Sequence, residues 1–460
     1  MARREFEIKL SNERLNTPSG LAIVGFILDS SDFDFHCDKK RNHKRSPPHM
    51  PDSDIMRTYL GLLCQGTTDF EAVKQMQEGD DEFFRYAIGI KTAIPSAERL
   101  RQRMDEMGTA MREKLLNSNV SLFKNLKISP TPLPNGHITL DIDVSPFDNS
   151  KTKKEGVSRT YKGFYGYSPI FAYLGKEGYC VNTKLRHGKQ HCQKETPDFL
   201  KETLRICQKI TDKPLLVRLD SGNDAAENIG ILTENNVSFI IKRNLRNEST
   251  LAWLDEIKKS CLPENVLIKQ EGNKKYIGSI SRDVKYFDSN GIECVKSVRI
   301  VYEATERAPS RQLSLLPDFE LNTYWTNTDF SPAVIIDLYH KHGECEQFHS
   351  EFKSDMDVER LPSGKFDTNC LVLELAMIAY NILRIMAQNS LNSGVSPKTK
   401  REVFRRRIRT VISNLIQFAS HVTVHARKTI FAVGRCNIWR FAFVDLFERF
   451  KLMRKKFISI

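Results

Sequence analysis

The sequence predicts an α/β protein of more than one domain, and three observations carry that reading. Residues 138–144 alternate apolar Ile138, Leu140, Ile142 and Val144 with polar neighbours and stop at Pro146, the pattern of a half-buried strand. Runs of strand character follow at short intervals and then alternate with runs of helical character, which suggests an antiparallel meander continued by parallel strands. A chain of 460 residues is also long enough for two or three domains and a large core.

The elements follow in order. After the 138–144 strand come strand-like runs at 167–174 and 179–185, a helical stretch at 197–210, and a short apolar strand behind Pro214 that stops at Asp220-Ser221-Gly222. A helix over 224–235 and a strand over 237–242 complete this core. The 126-residue span from Asp220 to Glu346 is too long for one crossover, so an inserted subdomain is expected over 244–326. Its runs at 266–271, 275–281, 295–303 and 323–326 read as strands, so the insertion is expected to be β-rich. The expected domains are therefore 1–130, largely helical; a core of 131–243 with 327–390; the insertion at 244–326; and a basic helical region at 391–460. Within the first, 54–64 and 68–76 have helical apolar spacing, Ser96 suits a helix N-cap, and the basic, proline-containing 39–51 reads as a loop.

Charge is unevenly spread. The formal net charge is +13, and residues 391–460 carry 16 Lys plus Arg against 3 Asp plus Glu, while the remainder balances. The densest part holds Lys398, Lys400, Arg401, Arg405, Arg406, Arg407 and Arg409, read as a helix suited to non-specific contact with phosphate backbones. The bland alternative is a solvated helix kept soluble by charge. Ten cysteines form no CxxC pair, and the polar start of the chain is not a signal peptide, which suggests reduced thiols. The clusters His36, Cys37, His43, His49 and His187, His191, Cys192 lack zinc-ligand spacing. No apolar run reaches the ~20 residues of a membrane span, so no membrane partner is expected.

The chemistry-bearing residues lie in three segments. Tyr339, His342, Glu346 and Lys353 recur at offsets of three, four and seven, and no helix breaker lies between Asp337 and Glu359. On one continuous α-helix they would share an arc of roughly 60°. A carboxylate flanked by cations can hold a divalent metal while its neighbours bind phosphate; an exposed i,i+7 charge pair is the plainer possibility. Asp141 and Asp143 share a face of their strand, where like charges are costly without a cation, or are solvated on an edge strand. Asp220 closes a buried strand at its carboxyl end, where α/β sheets place ligand chemistry, or serves as a turn or N-cap residue.

Together, Leu140-Asp141-Ile142-Asp143-Val144-Ser145, Arg218-Leu219-Asp220-Ser221-Gly222 and Tyr339-x2-His342-x3-Glu346-x6-Lys353 resemble the DDE transposases of bacterial insertion sequences. The cut-and-paste branch of that family carries Tyr-x2-Arg-x3-Glu-x6-Lys as its third motif. Likeness continues through Tyr161-Lys162-Gly163-Phe164-Tyr165-Gly166-Tyr167, Leu185-Arg186-His187-Gly188 and the stretch from Leu361-Pro362 to Ala379-Tyr380-Asn381, so it covers about residues 50–450.

The resemblance implies a ribonuclease H-like catalytic core with Asp143, Asp220 and Glu346 as catalytic, metal-binding triad. Asp143 is preferred to Asp141 because the family acid is followed two places on by Thr or Ser, here Ser145; Asp141 stays in reserve. Glu344 is a weaker rival to Glu346. Two Mg²⁺ ions are implied, with Mn²⁺ able to substitute. Tyr339, His342, Lys353 and Arg218 would contact DNA phosphate, with His342 standing where the family has Arg. Implied partners are double-stranded DNA, as terminal inverted repeats bound by the N-terminal domain and as target, and a second copy of the chain on DNA. The implied setting is the cytoplasm of a prokaryotic cell, at the nucleoid. Two other readings stay open: a metal-dependent nuclease of the same fold without strand transfer, and a non-catalytic DNA-binding protein derived from a transposase.

Overall fold

The computed structural model describes residues 6–38, 49–260, 266–268, 273–307, 319–399, 401–425 and 428–458. Two compact units emerge: one of residues 127–354 and 359–377, the other of 1–126, 355–358 and 378–460.

The first unit is a mixed α/β structure built on a nine-stranded sheet. Its strands are β1 (Ile138–Val144), β2 (Ile170–Leu174), β3 (Tyr179–Lys184), β4 (Leu215–Leu219), β5 (Ser238–Lys242), β6 (Val266–Ile268), β7 (Lys274–Phe287), β8 (Glu293–Glu306) and β9 (Phe319–Thr326). Across the sheet the order is β6-β7-β8-β9-β5-β4-β1-β2-β3. Strands β1, β4 and β5 run parallel; every other neighbouring pair is antiparallel. Helices α1 (Thr196–Ile210) and α2 (Ala226–Glu234) supply the crossovers that parallel pairing needs. These elements match the periods read in the sequence.

Described residues of 244–326 supply strands β6 to β9, which belong to the same sheet as the other five. Strand β9 returns from the insertion to pair with β5, with Tyr324 opposite Lys242 and Thr326 opposite Ile240. Ladder hydrogen bonds therefore continue from the long β7–β8 hairpin to the strands of the core. A helix at Thr250–Ser260, absent from the sequence expectation, precedes these strands. The expected strand at 266–271 extends beyond the described residues after 268.

A helix α3 (Pro332–His340) lies against this sheet. Ile335, Ile336 and Leu338 pack on Leu216, Ile240, Val301 and Tyr324 in one apolar cluster. Burying each such side chain contributes roughly 1.5–3 kcal/mol, which fixes the helix over β4, β5, β8 and β9. The chain from Tyr339 to Lys353 is not the single α-helix that its spacing suggested. It runs as α3, a 3₁₀ turn at Lys341–Glu344, helix α4 (Cys345–Ser350) and a π turn at Glu351–Asp355. Changes of winding break the shared 60° arc, because 3₁₀ and π segments advance by different angles per residue.

Helix α5 (Phe366–Asn392) is long and apolar enough to cross a bilayer by composition, yet its most apolar window is entirely buried within the protein. In the sequence its apolar run is interrupted by Glu374 and Arg384.

The second unit joins the N- and C-terminal residues. Helices Asp52–Cys64 and Ala97–Met107 appear where expected, and Ser96 caps the latter by accepting from the Arg99 N–H. The expected 68–76 helix is a 3₁₀ turn at Phe70–Val73 followed by Lys74–Glu78. The loop expected at 39–51 falls largely outside the described residues. Residues Leu15–Asn16 pair with Ser420–His425, and Phe26 meets Phe447 edge-on at 5.2 Å, so residues 391–460 group with the N-terminal region.

That C-terminal region departs from the all-helical expectation. After Asn392 come an irregular stretch, short turns at Ile408–Val411 and Ile412–Ile416, a hairpin of Ser420–His425 with Lys428–Val433, and a helix at Arg440–Ile458. Among the described residues of 398–409 no helix forms before Ile408.

Candidate active site

Strand β1 is buried throughout except at Asp143. Because successive side chains alternate, Asp141 and Asp143 share one face of β1, and Tyr173 and Phe171, their register partners on β2, share the corresponding face. On the other side Asp141 is the register partner of Arg218 and Ile142 of Leu219 on parallel β4. The paired register ends there; Asp143 is the next residue of β1 and Asp220 the residue after β4, and the charge of Asp143 reaches Asp220.

The two acids of β1 have opposite surroundings. Asp141 is 1% exposed. Its oxygens accept from Arg218 Nε at 2.5 Å and Nη2 at 2.6 Å, and from His342 Nδ1 at 2.9 Å. Arg218 Nη1 donates to the Leu338 carbonyl at 2.6 Å. Burial pushes the Asp141 carboxyl up, but the charge of Arg218 and the contact with His342 bring it below the usual range. A buried ion pair survives only when its remaining hydrogen-bonding groups are satisfied, and this network satisfies them. His342 is itself held above its ordinary value: burial opposes its charge, but the hydrogen bond and charge of Asp141, then the charge of Asp143, outweigh that.

Asp143 is half-buried. Its Oδ1 accepts from the Val144 N–H at 2.7 Å and its Oδ2 lies 3.1 Å from His349 Nε2. Burial works against its charge, while His349 and the more distant His342 hold its carboxyl below the usual range. Asp220, at the end of β4, is pushed the other way, first by burial and then by the negative charge of Asp143, against one hydrogen bond from Asn223 at 2.7 Å. Two carboxylates near enough for one to raise the other favour a bound cation.

Glu346 stands exposed in the first turn of α4. His349 lies three residues on, so its neighbour on the helix surface is the side chain that touches Asp143. Tyr339 is half-buried, its ring 4.7 Å from Tyr324 and 5.7 Å from His342, and burial and the charge of Asp220 raise its hydroxyl strongly. Lys353 donates one hydrogen bond to the Pro146 carbonyl at 2.7 Å and lies over the Phe147 ring. Arg218 and His342, expected at phosphate, are instead buried around Asp141.

Asp141, His342 and Cys345 place ligand-type atoms within 4.8 Å of one another. The Arg218 guanidinium already covers both Asp141 oxygens, so a metal ion there would meet a fixed positive charge; this cluster is an ion-pair network. The open carboxylates Asp143 and Asp220 fit a hard divalent cation better, since oxygen donors suit Mg²⁺ and Mn²⁺.

Two further side chains, His349 and Tyr173, were not singled out from sequence, and Tyr161 figured there only within the Tyr161–Tyr167 likeness. His349 and Tyr173 reach Asp143 in series, and Tyr161, 61% exposed, donates from its hydroxyl to the Val144 carbonyl at 3.2 Å. The spacing Glu346-x2-His349 was the available signal for the first.

Among the basic candidates, Lys398 and Arg401 are exposed in the irregular stretch and Lys400 lies outside the described residues. Arg405 is half-buried. Arg406 is buried over the Trp439 ring at 4.8 Å. Arg407 and Arg409 converge on the buried Asp355, at 2.8 and 3.3 Å. In the two clusters weighed for zinc, His187 stacks on Phe366, His191 accepts from the Gln193 N–H, His36 pairs with Ser121, and His43 lies outside the described residues. The nine described cysteines are free.

No curated protein sequence matches this chain. Among solved structures, a piggyBac transposase synaptic complex with hairpin DNA is similar at 11% identity and a TM-score of 0.40, over 96% of this chain and 82% of that one. The family model described as transposase DDE domain group 1 matches residues 30–455, nearly the whole length. The chain belongs to this family of DDE transposases.

Proposed function

We propose that this transposase works by cut and paste in the manner of bacterial insertion sequences, severing its element at the terminal inverted repeats and joining the ends to target DNA. The observation that carries the reading is that Asp143 and Asp220 follow the last paired residues of parallel strands β1 and β4, both half-buried, with the charge of Asp143 acting against that of Asp220. The order β3-β2-β1-β4-β5, antiparallel then parallel, supports a ribonuclease H-like core.

Asp143, Asp220 and Glu346 would hold two Mg²⁺ ions, with Mn²⁺ as substitute. When bound, such ions activate a water and stabilise the leaving 3′ oxygen. Cleavage breaks the P–O3′ bond as water adds to phosphorus; the freed 3′-OH then attacks a target phosphodiester, forming a new P–O3′ bond, losing its proton, and displacing the target strand's own 3′ oxygen, which leaves as a hydroxyl. Asp141 is the wrong acid for this task, because Arg218 and His342 neutralise it. Lys353 keeps donors beyond the one given to Pro146 and would steady the phosphate beside the scissile bond, with Tyr339 flanking it. Arg218 would contribute positive charge from behind Asp141, with His342 hydrogen-bonded beside it, rather than direct contact. Lys398, Arg401 and their basic neighbours would add backbone contacts. Both ends must be cut in one complex, so a homodimer on DNA, at the prokaryotic nucleoid, is the working form.

The test uses DNA spanning the flanks of the coding region, with Mg²⁺. Wild type should yield excised element and joined product, and Glu346→Gln should lose cleavage while end binding stays within about twofold. Cleavage without joined product would favour a nuclease; retained cleavage in Glu346→Gln would remove that residue from the triad.

A further inference from the structure

His349 is buried in an aromatic cage: its ring centroid is 5.2 Å from Phe171 and 5.4 Å from Tyr173. The cage holds the ring so that both nitrogens are used. Nε2 faces Asp143 Oδ2 at 3.1 Å and Nδ1 faces the Tyr173 hydroxyl at 3.1 Å. An ionised carboxylate can only accept, so Nε2 carries a proton, and Tyr173 donates to Nδ1 whenever the imidazole is neutral. The Asp143 carboxylate is thereby pinned at Oδ1 by its own strand's Val144 N–H and at Oδ2 by His349. Only its remaining lone pairs face the space shared with Asp220.

We propose that Tyr173 and His349 form a positioning relay that sets the rotamer of Asp143 for a divalent cation. The inference rests on the reading of Asp143 as a metal ligand. A ligand carboxylate free to rotate loses affinity, and removing such an outer partner typically weakens metal binding 10- to 100-fold. The relay acts through Asp143 and touches no substrate.

Substitutions separate donor from packing. His349→Phe keeps an aromatic ring in the cage and removes the donor; His349→Gln places an amide N–H near the position of Nε2. Mn²⁺ titration of the purified full chain, followed by electron paramagnetic resonance of the free ion, reads affinity without catalysis. His349→Phe is expected to weaken Mn²⁺ binding about tenfold or more, Tyr173→Phe by a few-fold, and His349→Gln by less than threefold, with thermal unfolding of the Gln variant near wild type. Asp143→Asn is the control. If it leaves Mn²⁺ binding unchanged, the metal-ligand reading of Asp143 is wrong. If it abolishes binding while His349→Phe binds as wild type, or if His349→Gln falls as far as His349→Phe, the relay is wrong and the cage is packing alone.

Discussion

Asp141 and Asp143 sit two residues apart on one strand face, and the protein treats them in opposite ways. Around Asp141 it assembles Arg218, His342 and the Leu338 carbonyl into a closed network. Around Asp143 it supplies one imidazole, one backbone N–H and a second acid. A carboxylate whose charge is cancelled inside the fold serves the fold. One left beside a like charge keeps unmet demand for a cation, and that demand is what a metal site consists of.

Asparagine at each position should break the comparison most sharply. Asp143→Asn should lower strand cleavage on the order of 10³-fold, the scale of several kcal/mol of transition-state stabilisation, while the melting temperature stays near wild type. Asp141→Asn should strike stability instead, costing about 3–5 kcal/mol because Arg218 is left buried without its counter-charge. Denaturant unfolding and a cleavage assay on both variants check the pair; a stable, inactive Asp141→Asn would reverse the assignment.

A smaller effect concerns Asp220. Its raised pKa means that the folded protein holds this proton more tightly than the unfolded chain. The resulting stabilisation is complete below the ordinary carboxylate range and is lost as pH rises through the folded value. At pH 7 without metal the charge of Asp220 therefore weighs against the fold. Asp220→Asn should raise the metal-free melting temperature at pH 7, and the gain should vanish on acidification below that range. A melting difference insensitive to pH in this comparison would mean that neither burial nor the charge of Asp143 weighs on ionised Asp220.

The smallest effect is expected in the basic stretch. Lys398→Ala with Arg401→Ala should leave stability unchanged and reduce the slope of log affinity for DNA against log salt by about one for each cation removed. Arg407, held by Asp355, should change that slope less.

Much of the fold is legible because period is local. Alternation over 138–144 and the apolar run at 215–219 need only neighbouring residues to be read, and both strands stand where they were expected. Register is not local. Nothing near Arg218 says that it opposes Asp141, so an arginine beside a motif acid reads as a phosphate contact until the strands are paired. The same holds for His349, whose meaning depends on a tyrosine 176 residues away. Even spacing misleads where winding changes: Tyr339, His342, Glu346 and Lys353 keep their intervals in sequence, but the 3₁₀ and π turns redistribute them in space. The candidate triad could be named from sequence; the partners that distinguish one acid from another could not.

The unbroken sheet has a further consequence. Strands β7 and β8 are 14 residues each, about 45 Å of ribbon, joined to the ladder of the core through β9 and packed against helices α2 and α3. The insertion is therefore not a cartridge that could be excised or grafted. Trimming 244–326 would bare the outer edge of β5, a row of unsatisfied amides and carbonyls that invites intermolecular stacking. Whatever the ribbon grips, it lacks a swivel at its root, so a tug there is felt at the strand ends where the acids stand.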